Sequence, residues 1–290
     1  MTEVIRRIAA FGLVLMCAAL SSAPLHAAGV AMVTDLQGRA VQSGEGRTRE
    51  LAILAELDAG AQVQLQAGAM LTVLYLESGN EFIFKGPSSM VFAAAQPEVT
   101  AGAKAEKRSP ALGRGGRDIR IKPVGLVQGA MVMRSLRAGA RMQLVSPRGP
   151  NILESSPEFR WQSVPSAQSY SFELTDEAGA SVYQTQTQER SARLPAGVKL
   201  REGATYSWEV ATRAADGARV SNIGKFTVAP PDMRAQVDAV RPDAAAPLAS
   251  RVIFAAWLDQ MNLKDEAHKY WQAAAGERPD EQRLKALAEQ

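Results

Sequence analysis

Cysteine and histidine are nearly absent from this chain of 290 residues: there is one Cys and there are two His. The single Cys, Cys17, lies in an N-terminal apolar stretch, so the rest of the chain has neither a disulfide nor a thiol nucleophile. Of the histidines, His26 sits in the same N-terminal region and only His268 lies beyond it. A zinc site built from several His or Cys is therefore ruled out, and a Ser-His-Asp relay would have to run through His268 alone. Net charge is also small, +3 at neutral pH, so the surface as a whole is not basic. No Gly-x-Ser-x-Gly elbow, Walker-type loop or EF-hand loop occurs. Glu154, Glu158, Glu173, Asp176 and Glu177 are carboxylates whose spacing places no pair across a cleft, as glycoside hydrolysis would require. The chain is read as non-enzymatic, with no catalytic residue, cofactor or metal ligand assigned.

Long apolar runs are absent after residue 28, so no spanning helix is expected beyond it. Before that point Arg6-Arg7, an apolar run from Ile8 to Leu20 and the small-residue stretch Ser21 to Ala28 give the three-part layout of a secretory signal peptide. The run is too short to span a bilayer, and Pro24 follows it. Cleavage after Ala27 or Ala28 is expected, with delivery to the periplasm of a bacterium.

Residues 29 to about 98 read as short strands between turns. Val30 to Thr34 precedes the turn Asp35-Leu36-Gln37-Gly38. Ala61 to Leu65 alternates apolar and polar residues, as a half-buried strand does. Leu71 to Leu76 and Glu81 to Phe84 flank Glu77-Ser78-Gly79-Asn80 as a hairpin, and Met90-Val91-Phe92 is another strand. Residues 99–118 mix Gly with Lys104, Lys107, Arg108, Arg114 and Arg117 without an apolar period, and are expected to be a flexible basic loop. These five basic residues are candidate contacts for an anionic envelope component. Strands are expected to resume at Ile119 to Ile121, Gly125 to Met133 and Arg141 to Val145.

The phrases Leu36-Gln37-Gly38, Leu57-Asp58-Ala59-Gly60-Ala61, Gly68-Ala69, Leu74 to Phe82 with its Ser78-Gly79-Asn80 turn, Gly86-Pro87, and later Gly125 to Gly129 and Gly139 to Pro147 together resemble the FecR domain over residues 29–147. That resemblance implies a β domain of short strands and Gly turns. It also implies a part in relaying an outer-membrane transport signal to a cytoplasmic sigma factor. The sequence departs from the family here, since only Met1 to Arg7 precede the apolar run. Such a role would need a separate membrane partner.

Residues 148–230 form a second β region. Phe159-Arg160-Trp161, Tyr170 to Leu174 and Thr205 to Val210 alternate, and Ile223 with Phe226-Thr227-Val228 closes the unit. Seven short strands at this spacing suit a sandwich, with Trp161, Tyr206 and Trp208 as core aromatics. The pattern Phe159-x-Trp161, Tyr170-x-Phe172-x-Leu174 and Tyr206-x-Trp208-x-Val210 resembles a bacterial fibronectin type III module. A Pro- and Ala-rich linker, 231–247, is expected next. Residues 248–290 then turn helical, with Val252, Ala255, Ala256 and Leu258 on one face and Ala267, Tyr270, Trp271 and Ala274 at helical spacing. Gly276 is expected to end one helix and Pro279 to begin the next. Ala255, Leu258, Ala267, Trp271, Ala274 and Pro279 resemble the small, large and Pro positions of a tetratricopeptide repeat, present here as one hairpin.

The fold class is thus mainly β: a FecR-like domain, a fibronectin III/Ig-like sandwich and a small C-terminal helical hairpin. The function expected is a periplasmic binding or scaffold protein. Its partner is expected to be an envelope protein or a cell-wall glycan, with no nucleic acid, and Tyr270 and Trp271 are the tail's candidate contacts. An arm of FecR-type envelope signalling and a carbohydrate-binding accessory protein are the alternatives. His268 is expected to be an exposed helix residue.

Overall fold

The computed structural model describes residues 29–44, 47–109 and 142–290. The expected signal peptide, Arg114, Arg117 and the strands expected between 119 and 133 lie outside the described residues. The fold is mainly β, as expected.

The first module holds β1 (Gly29–Gln37), β2 (Ala40–Gly44), β3 (Arg47–Glu50), β4 (Glu56–Asp58) and β5 (Ala61–Leu65). It continues with β6 (Met70–Tyr75), β7 (Glu81–Lys85), β8 (Ser88–Phe92), β9 (Pro97–Ala101) and β10 (Glu106–Arg108). Two five-stranded sheets result, in the orders β10-β7-β6-β1-β4 and β3-β2-β5-β8-β9. Alternation sets the facing: Ala61, Val63 and Leu65 of β5 are buried while Gln62 and Gln64 are exposed. The expected β6–β7 hairpin forms, and Gly79 supplies the positive φ of 67° that its turn needs.

The expected flexible loop 99–118 is corrected at its start. Residues 97–101 pair with β8 and residues 106–108 pair with β7. These are outer strands with little burial on either face, so no apolar alternation marks them; ladder hydrogen bonds hold them instead.

The second module contains β11 (Leu144–Ser146), β12 (Asn151–Ile152), β13 (Glu158–Trp161), β14 (Tyr170–Asp176), β15 (Ser181–Thr187), β16 (Ser191–Arg193), β17 (Thr205–Arg213) and β18 (Arg219–Val228). A three-stranded sheet, β11-β13-β16, faces a five-stranded one, β12-β18-β17-β14-β15. This is a fibronectin III/Ig-like sandwich. Phe159 sits at its centre, with ring centroids 4.8 Å from Phe172, 5.2 Å from Trp208 and 5.9 Å from Phe226. Trp161, Tyr206 and Trp208 are all buried. Ile223 is the exception: it lies on the outer face of β18, 63% exposed.

The boundary expected after residue 147 moves toward the N-terminus. β11 pairs with β13, and Met142 is already in the sandwich core, so the second module includes residues 142–147. The expected linker is partly a helix, α1 (Pro231–Val240), with Val237 fully buried. Pro231 opens that helix, where a missing N–H costs nothing. Three more helices follow: α2 (Leu248–Gln260), α3 (Lys264–Glu277) and α4 (Gln282–Glu289). Gly276 lies inside α3, which runs one residue past it. Pro279 falls between α3 and α4 instead of at a helix start, and it is the chain around Arg278 that breaks the helix.

The helices pack on the module farthest from them in sequence. Val252, Ile253, Phe254, Trp257 and Leu258 of α2, Trp271 of α3 and Leu284 of α4 share one continuous core with β1, β5, β6 and β7. The sandwich keeps a separate core of its own. The chain therefore builds its first module from both ends, with the sandwich interposed.

Candidate functional site

α2 is apolar on every side, and all residues from Leu248 to Leu258 except Arg251 are buried. A helix of that composition has to be enclosed. β1 lies along one side and α3 along another. Ala255 and Ala256 leave room for this close approach. Polar latches fix the position: the Arg278 guanidinium meets the Asp35 carboxylate at 3.1 and 2.9 Å, and the Ile53 amide donates to Glu281 at 3.3 Å. Burial pushes the Glu281 carboxyl above its ordinary value, against the pull of the Ile53 amide.

This packing corrects the expectation for Trp271. The indole is 3% exposed and its Nε1 donates to Asp259 Oδ2 at 2.7 Å, so it belongs to the tail's own core and is closed to a partner. Tyr270 is half-buried, edge-on to Phe254 with centroids 4.9 Å apart. The helical spacing that marked the two aromatics was that of a core stripe.

Lys104, Lys107 and Arg108 are exposed on and just before β10. Lys107 Nζ lies 5.9 Å from the Phe82 ring centroid, and Arg108 Nε donates to Glu106 at 2.9 Å. They share one sheet edge but form no cradle around a common point.

A cleft of about 410 Å³ lies where the sandwich meets α3. The backbone N–H of Arg148 donates to both Asp265 oxygens, at 3.3 and 3.2 Å. Lys269 bridges Glu154 at 3.0 Å and Glu266 at 2.8 Å. Asn151 Nδ2 donates to the Met261 carbonyl at 3.0 Å. Gly149 has to be glycine: a Cβ there would come within 2.8 Å of the Asn262 carbonyl oxygen. On the far side, Arg234 of α1 donates to Glu202 at 2.9 Å and to the Leu153 carbonyl. The sandwich is thus clamped to the helices by charge-assisted bonds.

Burial pushes Asp265 up, opposed by the Arg148 amide and guanidinium. Burial, followed by the nearby Arg148 guanidinium, pushes His268 down. His268 is half-buried in the cleft, not exposed as expected. Ser146, Asp265 and His268 line the same cleft, yet among the described residues no hydrogen bond joins them. The charged groups of the cleft hold the two bodies together. Among the described residues no group of three His, Cys, Asp or Glu is placed to hold a metal ion, and no helix is long and apolar enough to cross a membrane.

No family model and no curated protein matches this chain. Among solved structures it is similar to CopC from Methylosinus trichosporium OB3b, with 24% identity, 31% of this chain and 96% of that chain covered, and a TM-score of 0.25. A two-domain fibronectin type III segment of chicken tenascin gives 16% identity over 65% of this chain and 83% of that chain, with a TM-score of 0.23. Pectate lyase Pel3 from Pectobacterium carotovorum gives 12% identity over 37% of this chain and 28% of that chain, with a TM-score of 0.22. With TM-scores this low, the assignment of the sandwich rests on its own strand order and core.

Proposed function

We propose that the chain is a non-enzymatic binding and scaffold protein of the bacterial periplasm, and that its first module is FecR-like. The observation that carries this reading is the welding of three parts into one body. The C-terminal helices complete the first module's core, and the interposed sandwich is clamped to α1 and α3. A body joined this way holds its sheet edges and outer faces in fixed relative positions, which is what a scaffold needs. The cleft between the sandwich and α3 supports the same reading, because its charges are spent on one another. The start Arg6-Arg7, the short apolar run and the Ala27-Ala28 end support export.

The test is fractionation followed by in-cell cross-linking. The protein is expected in the periplasmic fraction, beginning at Ala28 or Gly29, and cross-linked to one reproducible envelope protein. Full-length chain in the cytoplasm, or a periplasmic chain that cross-links to nothing, would overturn the reading.

A further inference from the structure

Sheet edges differ in how well they are guarded against pairing with another chain. Short length, charge and proline are the usual guards. β4, β10, β11 and β16 have three residues each and β12 has two. β3 carries Arg47, Arg49 and Glu50 in four residues, and β9 begins at Pro97 and carries Glu98. β15 is the contrast. It has seven residues, Ser181–Thr187, with neither a charge nor a proline, and among the described residues only β14 pairs with it.

Two grooves adjoin β15, an inner and an outer one, and Thr185 and Gln186 line both. The inner one, about 540 Å³, opens between the two sheets and is lined by Tyr183, Thr185 and Thr187 together with Glu158, Glu189 and Arg193. The outer one, about 340 Å³, runs over Gln184 beside Glu173, Glu209 and Arg219. Side chains of a strand point alternately to its two faces. A strand added to β15 would therefore send alternate side chains into the two grooves, with main-chain bonds supplying affinity and the grooves supplying choice.

The charges decide what kind of strand fits. Arg193 is paired with Glu158 at 2.8 Å, and Arg219 with Glu209 at 2.8 Å. Glu173 in the outer groove and Glu189 in the inner one have no ion pair among the described residues. Glu173 stands in register with Gln184 on the outer face, whereas Glu189, in the bend that follows β15, borders the inner groove.

We propose that the outer edge of β15, unpaired among the described residues, takes up an extended segment of a partner protein as an added strand. That segment carries two basic side chains an odd number of residues apart, one for Glu173 and one for Glu189. The proposal rests on the reading of the chain as a binding protein, but not on its compartment.

The test uses purified, ¹⁵N-labelled chain beginning at Gly29 and a synthetic Thr/Val nonapeptide with two Lys five positions apart. The peptide is expected to shift the backbone amides of Tyr183 to Thr187 and to slow their hydrogen exchange. Moving the Lys residues to four positions apart is expected to weaken binding about threefold, and replacing both with Glu by about tenfold or more, the scale of one or two exposed ion pairs. Glu173→Gln and Glu189→Gln are each expected to weaken binding about threefold. Thr185→Lys, an inward-pointing charge of the kind that guards natural edges, is expected to abolish binding with the melting temperature unchanged. If no peptide shifts the β15 amides, if the Glu peptide binds as well as the Lys peptide, or if the chain instead forms a dimer through β15, the proposal is wrong. A silent β15 together with a partner cross-linked elsewhere on the body would overturn this surface and leave the scaffold reading standing.

Discussion

Asp35 and Arg278 are separated by 243 residues of chain and form a two-pronged ion pair, with Nε–Oδ1 at 3.1 Å and Nη2–Oδ2 at 2.9 Å. Their side chains are only 14% and 22% exposed, so neither charge is fully solvated without the other. Arg278→Ala leaves Asp35 partly buried and alone, and is expected to lower stability by about 1–3 kcal/mol. Arg278→Lys keeps the charge but loses the fork, and is expected to recover only part of that loss. Urea denaturation of the two variants and of Asp35→Asn, read as a double-mutant cycle, checks the coupling. Additive effects would show that the pair does no work in holding the tail.

Glu81 begins β7 and is 5% exposed, with Oε1 lacking a hydrogen-bond partner among the described residues. Burial raises its carboxyl above the ordinary 4.5, and the Arg108 charge only partly opposes this. A raised folded value means that the folded state holds its proton more tightly than the unfolded state. This contribution to stability is fully present below about pH 4.5 and is lost as pH rises through the folded value. Glu81→Gln removes the ionisation and is expected to raise the melting temperature by about 2–5 °C at pH 7.5. The gain should shrink to nothing at pH 4, where the native carboxyl is protonated as well. An equal gain at both pH values would mean that packing, not charge, is the cause.

Gly224 lies in β18 directly over the Trp208 indole. A Cβ there would overlap the indole nitrogen and come within 3.1 Å of Leu144 Cδ1. Gly224→Ala is expected to destabilise the sandwich by about 1–3 kcal/mol through overpacking. Tryptophan fluorescence during denaturant unfolding should show an earlier sandwich transition, while the first module, with its separate core, holds its midpoint.

The period-two strands were legible because burial on one face writes itself into alternate residues. β5, β14 and β17 have the alternation, and so does the Phe159–Trp161 pair. The β6–β7 turn was legible through Gly79. β9 and β10 were not, since outer strands with little burial leave no apolar pattern. α1 was hidden by the prolines at both of its ends. For the tail, the sequence showed apolar helices that had to be covered but could not say by what. The covering surface is β1 and the segment around Ile53, and the contacts Arg278–Asp35 and Glu281–Ile53 span more than 200 residues. The clamp at Arg148 and Asp265, 117 residues apart, was invisible for the same reason. Whether Trp271 faces a partner or its own core is not legible, because an aromatic at helical spacing looks the same in either case.

The C-terminal helices are part of the first β module and complete its core. Val252, Ile253, Phe254, Trp257 and Leu258 each stabilise by about 1.5–3 kcal/mol on burial. Together they rival the roughly 5–15 kcal/mol by which a whole domain is stable. The most direct measurement is amide hydrogen exchange on a chain lacking residues 248–290. In that chain β1, β5, β6 and β7 are expected to lose their protection, while β14, β17 and β18 of the sandwich keep theirs. Full protection of the first module in the shortened chain would contradict it.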